Sequence, residues 1–124
     1  MTTQGLHVLV VDDNAMNRKM LSMVLKTMGI TTEEADGGVA CLELVSREKY
    51  DVIFMDHLMP EMDGVETFHR LKELTNSLNS DTPVIALTAD DLGSGESFFM
   101  EAGFNGYLVK PVLPKNLEEL IASL

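Results

Sequence analysis

Positive charge is scarce in this chain of 124 residues: nine lysines and arginines stand against twenty aspartates and glutamates, and the net charge is −11. Proteins that bind nucleic acid neutralise phosphates with basic side chains, and anionic membrane surfaces attract the same side chains. The charge balance therefore argues against direct binding to nucleic acid or to an anionic membrane.

Cysteine and long apolar runs are also nearly absent. Cys41 is the one cysteine, so no internal disulfide can form, which suits the reducing cytoplasm. No stretch approaches the roughly 20 apolar residues of a transmembrane helix. The first residues lack the basic and apolar segments of a secretory signal. We expect one cytoplasmic domain over residues 1–124, with its core from about residue 7 and no segment inserted in a membrane.

What the sequence does contain is a set of four short apolar runs, each leading into a polar residue. Runs of this length, separated by helix-length segments, are typical of buried strands in a parallel sheet. Ligands bind such open sheets outside the carboxyl ends of the strands. The polar residues that follow the runs are therefore predicted to converge on one edge of the sheet. They are Asp12-Asp13, Asp56, Thr88 and Lys110.

The order of the elements predicts the fold class. Strand and helix alternate five times, which indicates an α/β fold, a three-layer αβα sandwich around a five-stranded parallel sheet. The second strand, over residues 30–35, is polar and suits an edge position. This favours the flavodoxin-like strand order 2-1-3-4-5, in which Asp12, Asp13 and Asp56 follow adjacent strands.

Helix boundaries follow from capping residues and apolar spacing. A first helix is predicted over about 15–28 with Asn14 as its cap. A last helix is predicted from Pro114, because apolar residues recur at helical spacing after it: Leu117, Leu120, Ile121 and Leu124. The fourth helix is the exception, since two glycines weaken its start at residues 90–95 by about 1 kcal/mol each relative to alanine. A weak element directly after Thr88 is a candidate for a switch.

Three carboxylates and one ammonium group at one edge leave an excess of negative charge. Two carboxylates about 4 Å apart repel each other by roughly 4 kcal/mol at an effective dielectric constant near 20. One lysine cannot neutralise three carboxylates, so we expect a bound cation, and oxygen ligands favour Mg²⁺. Each aspartate could instead cap the helix after its strand, but capping accounts for Asp12 or Asp13 alone and leaves the other strand ends unexplained.

The pattern as a whole resembles the receiver domain of bacterial two-component response regulators, from about His7 to the C terminus. Any one of its elements is a modest signal, whereas all four in this order and at these separations are highly specific. The elements are Val10-Val11-Asp12-Asp13-Asn14, Met55-Asp56 with the loop to Gly64, Leu87-Thr88-Ala89 and Lys110-Pro111.

The resemblance implies a chemical role for each residue of the acidic edge. Asp56 would accept the phosphoryl group and Lys110 would contact it. Asp13, Asp56 and the backbone carbonyl of Leu58 would bind Mg²⁺ directly, with Asp12 behind them or bound through a water molecule.

The resemblance also implies how the signal is passed on. Thr88 would be the switch hydroxyl and Tyr107 the switch aromatic residue, and the Lys110–Pro111 peptide bond would be cis. The domain would be a signalling module rather than an enzyme, and it would promote its own phosphorylation and dephosphorylation.

A narrower resemblance, carried by residues 12–18, 83–89 and 102–111, is to the receivers of hybrid sensor histidine kinases. It implies a phosphorelay in which a histidine kinase or a histidine-phosphotransfer domain donates the phosphoryl group. A phosphotransfer domain would dock as a helical bundle over the site near the first helix. We expect the chain to be a piece of such a kinase, and the alternative is a stand-alone single-domain response regulator.

Three other classes fit the residues less well. A Mg²⁺-dependent phosphohydrolase with an aspartyl-phosphate intermediate would need an acid/base carboxylate two residues after Asp56, where Leu58 stands. A flavin-binding module would need a phosphate loop after the first strand, where Asp12-Asp13 would repel a phosphate. A receiver-like module that is never phosphorylated is disfavoured because no site residue is missing. His57 is expected to be an exposed loop residue.

Overall fold

A computed structural model describes residues 5–74, 78–89 and 94–124 of the chain. Strands and helices alternate through these ranges. In chain order they are β1 (His7–Val11), α1 (Ala15–Thr27), β2 (Thr31–Ala35), α2 (Gly38–Arg47), β3 (Val52–Asp56), α3 (Gly64–Glu73), β4 (Val84–Thr88), α4 (Ser94–Ala102), β5 (Gly106–Val109) and α5 (Pro114–Ser123).

The strands form one parallel sheet in the order β2-β1-β3-β4-β5. The predicted fold class and strand order are therefore confirmed. Every residue of β3 and β4 is buried, whereas β2 is largely exposed or half-buried. The difference follows from position, because β3 and β4 have a neighbour on each side and β2 is an edge strand.

Successive strand residues point into two separate hydrophobic cores, one on each face of the sheet. In β1, Leu9 and Val11 belong to one core, and Val8 and Val10 belong to the other. Helices α2, α3 and α4 cover the first core, and α1 and α5 cover the second. Both faces of the sheet are thus protected, and the polar side chains of the buried strands β3 and β4, Asp56 and Thr88, lie at the strand ends.

The helices at the carboxyl edge begin at the expected residues. The side chain of Asn14 accepts a hydrogen bond from the N–H of Asn17 at 3.0 Å, so that one free donor in the first turn of α1 is satisfied. Helix α5 begins at Pro114, as predicted. With 13 residues, α1 is the longest helix in the described ranges. None of the helices in these ranges combines the length and the apolar character needed to cross a bilayer.

Three predicted details differ from the structure. The strand β2 begins at Thr31 rather than at residue 30, because the N–H of Ile30 donates to the carbonyl of Leu25 at 3.1 Å and closes the end of α1. Helix α1 accordingly ends at Thr27. Leu124 lies beyond the end of α5 and is 37% exposed. The predicted weakness at the start of the fourth helix depends mainly on residues 90–93, which lie outside the described ranges.

Candidate functional site

The carboxyl ends of four strands bring polar side chains to one edge of the sheet. Asp12 follows β1, Asp56 ends β3, Thr88 ends β4 and Lys110 follows β5. Asp12, Asp56 and Thr88 are 2%, 5% and 6% exposed, because β1, β3 and β4 are the central strands. Asp13, one residue beyond Asp12, is exposed to solvent. The strand order therefore places three carboxylates, a hydroxyl and an ammonium group at the same edge.

The ammonium group of Lys110 lies between two of the carboxylates. Its Nζ is 2.8 Å from Oδ1 of Asp56 and 3.1 Å from Oδ2 of Asp12. The backbone N–H of Lys110 donates to the carbonyl of Thr88 at 2.7 Å, which fixes the chain beyond β5 against β4. The Lys110–Pro111 peptide bond is cis, as the resemblance implied. Lys110 is thus held in place to contact both buried carboxylates.

Burial and neighbouring charge act on these groups in opposite directions. Burial raises the pKa of Asp56, the contact with Lys110 lowers it, and the negative charges of Asp12 and Asp13 raise it, so that the net shift is upward. Burial lowers the pKa of Lys110, but the contacts with Asp56 and Asp12 outweigh burial and the net shift is again upward. The lysine therefore stays charged, while Asp56 occupies a position that disfavours its own negative charge.

Asp12, Asp13 and Asp56 form an acidic pocket lined by oxygen atoms. One carboxylate oxygen from each residue lies within 4.8 Å of the others. Because Lys110 compensates only one of three negative charges, the pocket attracts a further cation. A small number of carboxylates with access to water is the donor set that Mg²⁺ prefers in proteins. The residues present therefore fit the ion that the sequence predicted.

Two hydrogen bonds hold Asp12 in this position. Its Oδ1 accepts the N–H of Asn14 at 2.9 Å, and its carbonyl accepts a bond from Nη1 of Arg18 at 2.7 Å. The Nε of Arg18 also donates to Glu34 at 3.1 Å, so this side chain joins α1 to β1 and to the edge strand β2. Arg18 lies within residues 12–18, which carry the narrower resemblance. No role followed for its side chain, because a position in the helix after Asp12 does not separate it from a solvent-exposed arginine.

The loop after Asp56 folds tightly against the sheet. The N–H of His57 donates to the carbonyl of Leu87 at 3.0 Å, and the N–H of Gly64 donates to the carbonyl of His57 at 2.8 Å. A Cβ atom at Gly64 would overlap the backbone carbonyl of Asp56, so the close approach of α3 requires glycine here. Leu58, whose carbonyl was the expected metal ligand, lies in this loop with its side chain 73% exposed.

Aromatic rings connect this loop to α4 and β5. The ring of His57 lies 5.4 Å from that of Phe98 and 5.1 Å from that of Phe99, centroid to centroid. Phe99 in turn stacks on the half-buried Tyr107 at 6.4 Å. The Nδ1 atom of His57 is enclosed and has no hydrogen-bond partner among the described residues. His57 lies in the loop after β3 as expected, but the expectation that it is exposed is wrong, because α4 packs over it and leaves it half-buried.

A family model for the response regulator receiver domain matches residues 8–122 of the chain. The chain belongs to this family. Among solved structures, the receiver resembles the chemotaxis protein CheY4 of Vibrio cholerae, with 30% identity, a TM-score of 0.85 and coverage of 95% of this chain and 97% of that one. It equally resembles the receiver domain of the sensor histidine kinase PA1611 from Pseudomonas aeruginosa, with 28% identity, a TM-score of 0.85 and 96% coverage of both chains. That domain has a magnesium ion coordinated in its active site cleft.

Relatives of this receiver include hybrid sensor histidine kinases. Hybrid signal transduction histidine kinase E of Dictyostelium discoideum is 36% identical over 118 residues, which make up 93% of this chain and 7% of that protein. The chain spans less than half of the length of the curated relatives it matches. The resemblance stated from the sequence is thus confirmed at the level of the family, a receiver domain of two-component phosphorelays.

The approach of α3 to Asp56 leads to a test of receiver stability. Gly64→Ala should lower the free energy of unfolding by about 1–3 kcal/mol, because the new methyl group forces the backbone at Asp56 to move. Gly37→Ala is the matched control, since a Cβ there meets no atom within 4 Å and its φ of 175° is extended backbone; its effect should stay within about 0.5 kcal/mol. Urea denaturation measures both, and equal losses in the two variants would contradict the steric argument.

Proposed function

We propose that Asp56 of this receiver domain accepts a phosphoryl group from a phosphohistidine on a partner protein. The observation that supports this assignment is the setting of Asp56, a buried carboxylate 2.8 Å from the ammonium of Lys110 and grouped with two further carboxylates. Transfer to a carboxylate nucleophile requires positioning of the reactants and neutralisation of the phosphoryl oxygens, with little further covalent machinery. We infer that residues 1–124 act together as one such domain.

The transfer exchanges one bond to phosphorus for another. The bond from phosphorus to the histidine nitrogen breaks, and a bond from phosphorus to a carboxylate oxygen of Asp56 forms. Lys110 already contacts Asp56 and can contact an oxygen of the arriving group, because its side chain is 23% exposed to solvent. Thr88, at the end of the neighbouring strand, can donate a hydrogen bond from its hydroxyl to another phosphoryl oxygen once the group is present.

The acidic pocket would hold Mg²⁺ during this transfer. Asp13, Asp56 and the carbonyl of Leu58 would be its direct ligands, and Asp12 would contact it through water. Bound there, the ion supplies positive charge that neutralises the phosphoryl oxygens.

A signalling role is favoured over that of a phosphohydrolase. A phosphohydrolase acting through an aspartyl-phosphate would use an acid/base carboxylate two residues beyond Asp56. Leu58 occupies that position, and its exposed side chain cannot transfer a proton. The domain would therefore promote its own phosphorylation and a slow loss of the phosphoryl group, and it would not turn over a separate substrate.

An apolar face on α1 supports a helical protein as the phosphoryl donor. Met16, Met20 and Met23 are 71%, 56% and 67% exposed and share one side of α1 by their spacing. Met20 also lines a groove that extends to Asp12 and Lys110. Exposed methionines adapt well to the apolar surface of a partner helix. We infer that a histidine-phosphotransfer domain or the histidine-bearing helices of a kinase dock on α1, while the net charge of −11 disfavours a nucleic acid as partner.

We further propose that the domain comes from a hybrid sensor histidine kinase and works in the cytoplasm. The relatives that carry this name or act as sensor kinases support the assignment. A stand-alone response regulator is the second possibility, supported by the 30% identity to CheY4, a chemotaxis response regulator of Vibrio cholerae.

Phosphorylation of the chain tests the role of Asp56. With acetyl phosphate and Mg²⁺, wild type should gain one phosphoryl group and Asp56→Asn should gain none, as measured by intact-protein mass spectrometry. Asp81→Asn is the control, because it removes the same charge from a side chain that is 90% exposed and away from the acidic pocket. Undiminished phosphorylation of Asp56→Asn would exclude Asp56 as the acceptor.

Thermal unfolding tests the metal site. At a Mg²⁺ concentration ten times the dissociation constant, the folded state should gain about 1.4 kcal/mol by mass action, roughly 5 °C in melting temperature. Asp13→Asn should lose most of this response. Without metal it should be more stable than wild type, because one of the repelling charges is gone. A response to Mg²⁺ as large as that of wild type in Asp13→Asn would contradict the proposed ligand set.

We propose that the phosphorylated state is read out through Thr88, Tyr107 and α4. The loop at Asp56 touches α4 through the ring of His57, and α4 touches Tyr107 through Phe99. A group bound at Asp56 can shift the equilibrium between two positions of α4 only if it binds one of them more tightly. The difference in binding free energy is commonly about 1–3 kcal/mol. The hydroxyl of Thr88 would supply part of this difference by turning towards the phosphoryl oxygens.

Hydrogen exchange of the α4 amides tests this route. Beryllofluoride with Mg²⁺ mimics the phosphoryl group and should slow exchange in α4 of wild type, because the bound mimic selects one arrangement. Thr88→Ala should still bind the mimic but lose most of the protection, whereas Thr31→Ala, on the exposed edge strand, should behave as wild type. If exchange in α4 is the same with and without the mimic, the signal does not pass through this helix.

A further inference from the structure

A second cluster of titratable side chains lies at the opposite end of the sheet. His7 begins β1, Glu33 lies in β2, and Glu48 follows α2. The Nε2 atom of His7 is 3.0 Å from Oε1 of Glu33 and 3.1 Å from Oε2 of Glu48. Their side chains are between 28% and 50% exposed, so a small ion from solvent can reach them.

The charges of this cluster are not balanced by basic residues. Within the described part of the chain, no lysine or arginine forms an ion pair with Glu33 or Glu48. Both carboxylates face the same ring nitrogen, which can carry one hydrogen at most. One ligand atom from each of the three residues lies within 4.8 Å of the others. A cation among them would offset the repulsion between the two carboxylates.

A buried tyrosine provides an independent observation. Tyr50 is completely buried, and its ring stacks on the imidazole of His7 with the centroids 4.9 Å apart and the planes 16° from parallel. Among the described residues, this hydroxyl has no hydrogen bond of acceptable geometry. A buried hydroxyl in this position is available to support a bound ligand, by donating to a ligating carboxylate or to a bound water.

Hydrogen bonds to Asn79 and Asp51 hold the backbone around the cluster of His7, Glu33 and Glu48. The N–H of Tyr50 donates to Oδ1 of the buried Asn79 at 2.8 Å, and the N–H of His7 donates to Asp51 at 2.8 Å. The Nδ2 atom of Asn79 also donates to the carbonyl of Glu48 at 2.7 Å. The backbone positions of His7, Glu48 and Tyr50 are therefore fixed by these hydrogen bonds.

We propose that His7, Glu33 and Glu48 bind a divalent transition-metal ion of the Zn²⁺ class. One imidazole nitrogen and two carboxylates form a common ligand set for such an ion, with water filling the remaining positions. Imidazole selects against Mg²⁺, which prefers oxygen ligands only, so this site and the acidic pocket at Asp56 would hold different ions. The Tyr50 hydroxyl would then donate to a ligating carboxylate or to a bound water. The five residues of β1 separate the two sites by about 16 Å along the strand.

Zinc titration of the untagged chain, followed by NMR of the histidine imidazole resonances, tests the proposal. Mg²⁺ is kept in excess so that the acidic pocket at Asp56 is occupied. The resonances of His7 should shift with one equivalent of zinc, and Glu48→Gln should weaken the apparent affinity at least tenfold. Glu43→Gln is the matched control, because it removes the same charge from an exposed position in α2. Its affinity should equal that of wild type.

Two further variants separate this site from its alternatives. Asp13→Asn should leave the zinc response of His7 unchanged, because the acidic pocket is not involved. Tyr50→Phe keeps the stacked ring but removes the hydroxyl, and it should weaken zinc binding about tenfold if the hydroxyl supports a ligand. Absence of a zinc-dependent shift at His7, or an equal affinity in Glu48→Gln, would overturn the proposal and leave a proton shared between the glutamates. Failure of phosphorylation at Asp56 would have no bearing on this result.

Discussion

Asp12 and Asp56 share one ammonium group, that of Lys110, and the arrangement of the functional edge depends on this contact. Both carboxylates are buried because they follow central strands of the sheet. Side by side in a poorly solvated place, two carboxylates favour the uptake of a proton, and a lysine between them opposes it. Asp13 adds a third negative charge on the solvent side. Lys110 therefore limits the repulsion between the two buried carboxylates but leaves the edge with an excess of negative charge, which favours the binding of a cation.

The same sheet places charged groups at both of its ends, and for the same reason. Side chains along the central strands pack into the two cores, so the charged groups lie at the ends of those strands or on the edge strand β2, which carries Glu33. At the carboxyl end the excess of carboxylates is met by Lys110. At the amino end, Glu33 and Glu48 lie within 3.1 Å of a ring nitrogen of His7. The two acidic clusters differ in their nitrogen group, because a charged ammonium cannot bind a metal ion and a neutral imidazole can.

Much of the carboxyl edge could be predicted because its signals are local. Apolar runs of four residues mark the buried strands, and Asp12, Asp56, Thr88 and Lys110 follow them directly in the chain. The strand order could also be predicted from a local property, the polarity of the second strand. The environment of His57 could not be predicted, because it depends on Phe98 and Phe99 folding back over the loop. The hydrogen bond from Arg18 to Asp12, like the burial of the Tyr50 hydroxyl, likewise requires the packed structure.

By itself, the sequence determined the alternation of strands and helices, the polar residues at the strand ends and the receiver family. These properties depend on short segments of the chain, since the spacing of apolar side chains, helix caps and turn residues acts over a few neighbouring positions. Only the tertiary structure decided which charges meet. Lys110 reaches Asp12 across 98 positions of sequence, and His7 reaches Glu48 across 41. Contacts at a distance of 3 Å depend on strand order, sheet twist and the rotamers that the whole core permits, and no segment of the chain contains that information alone.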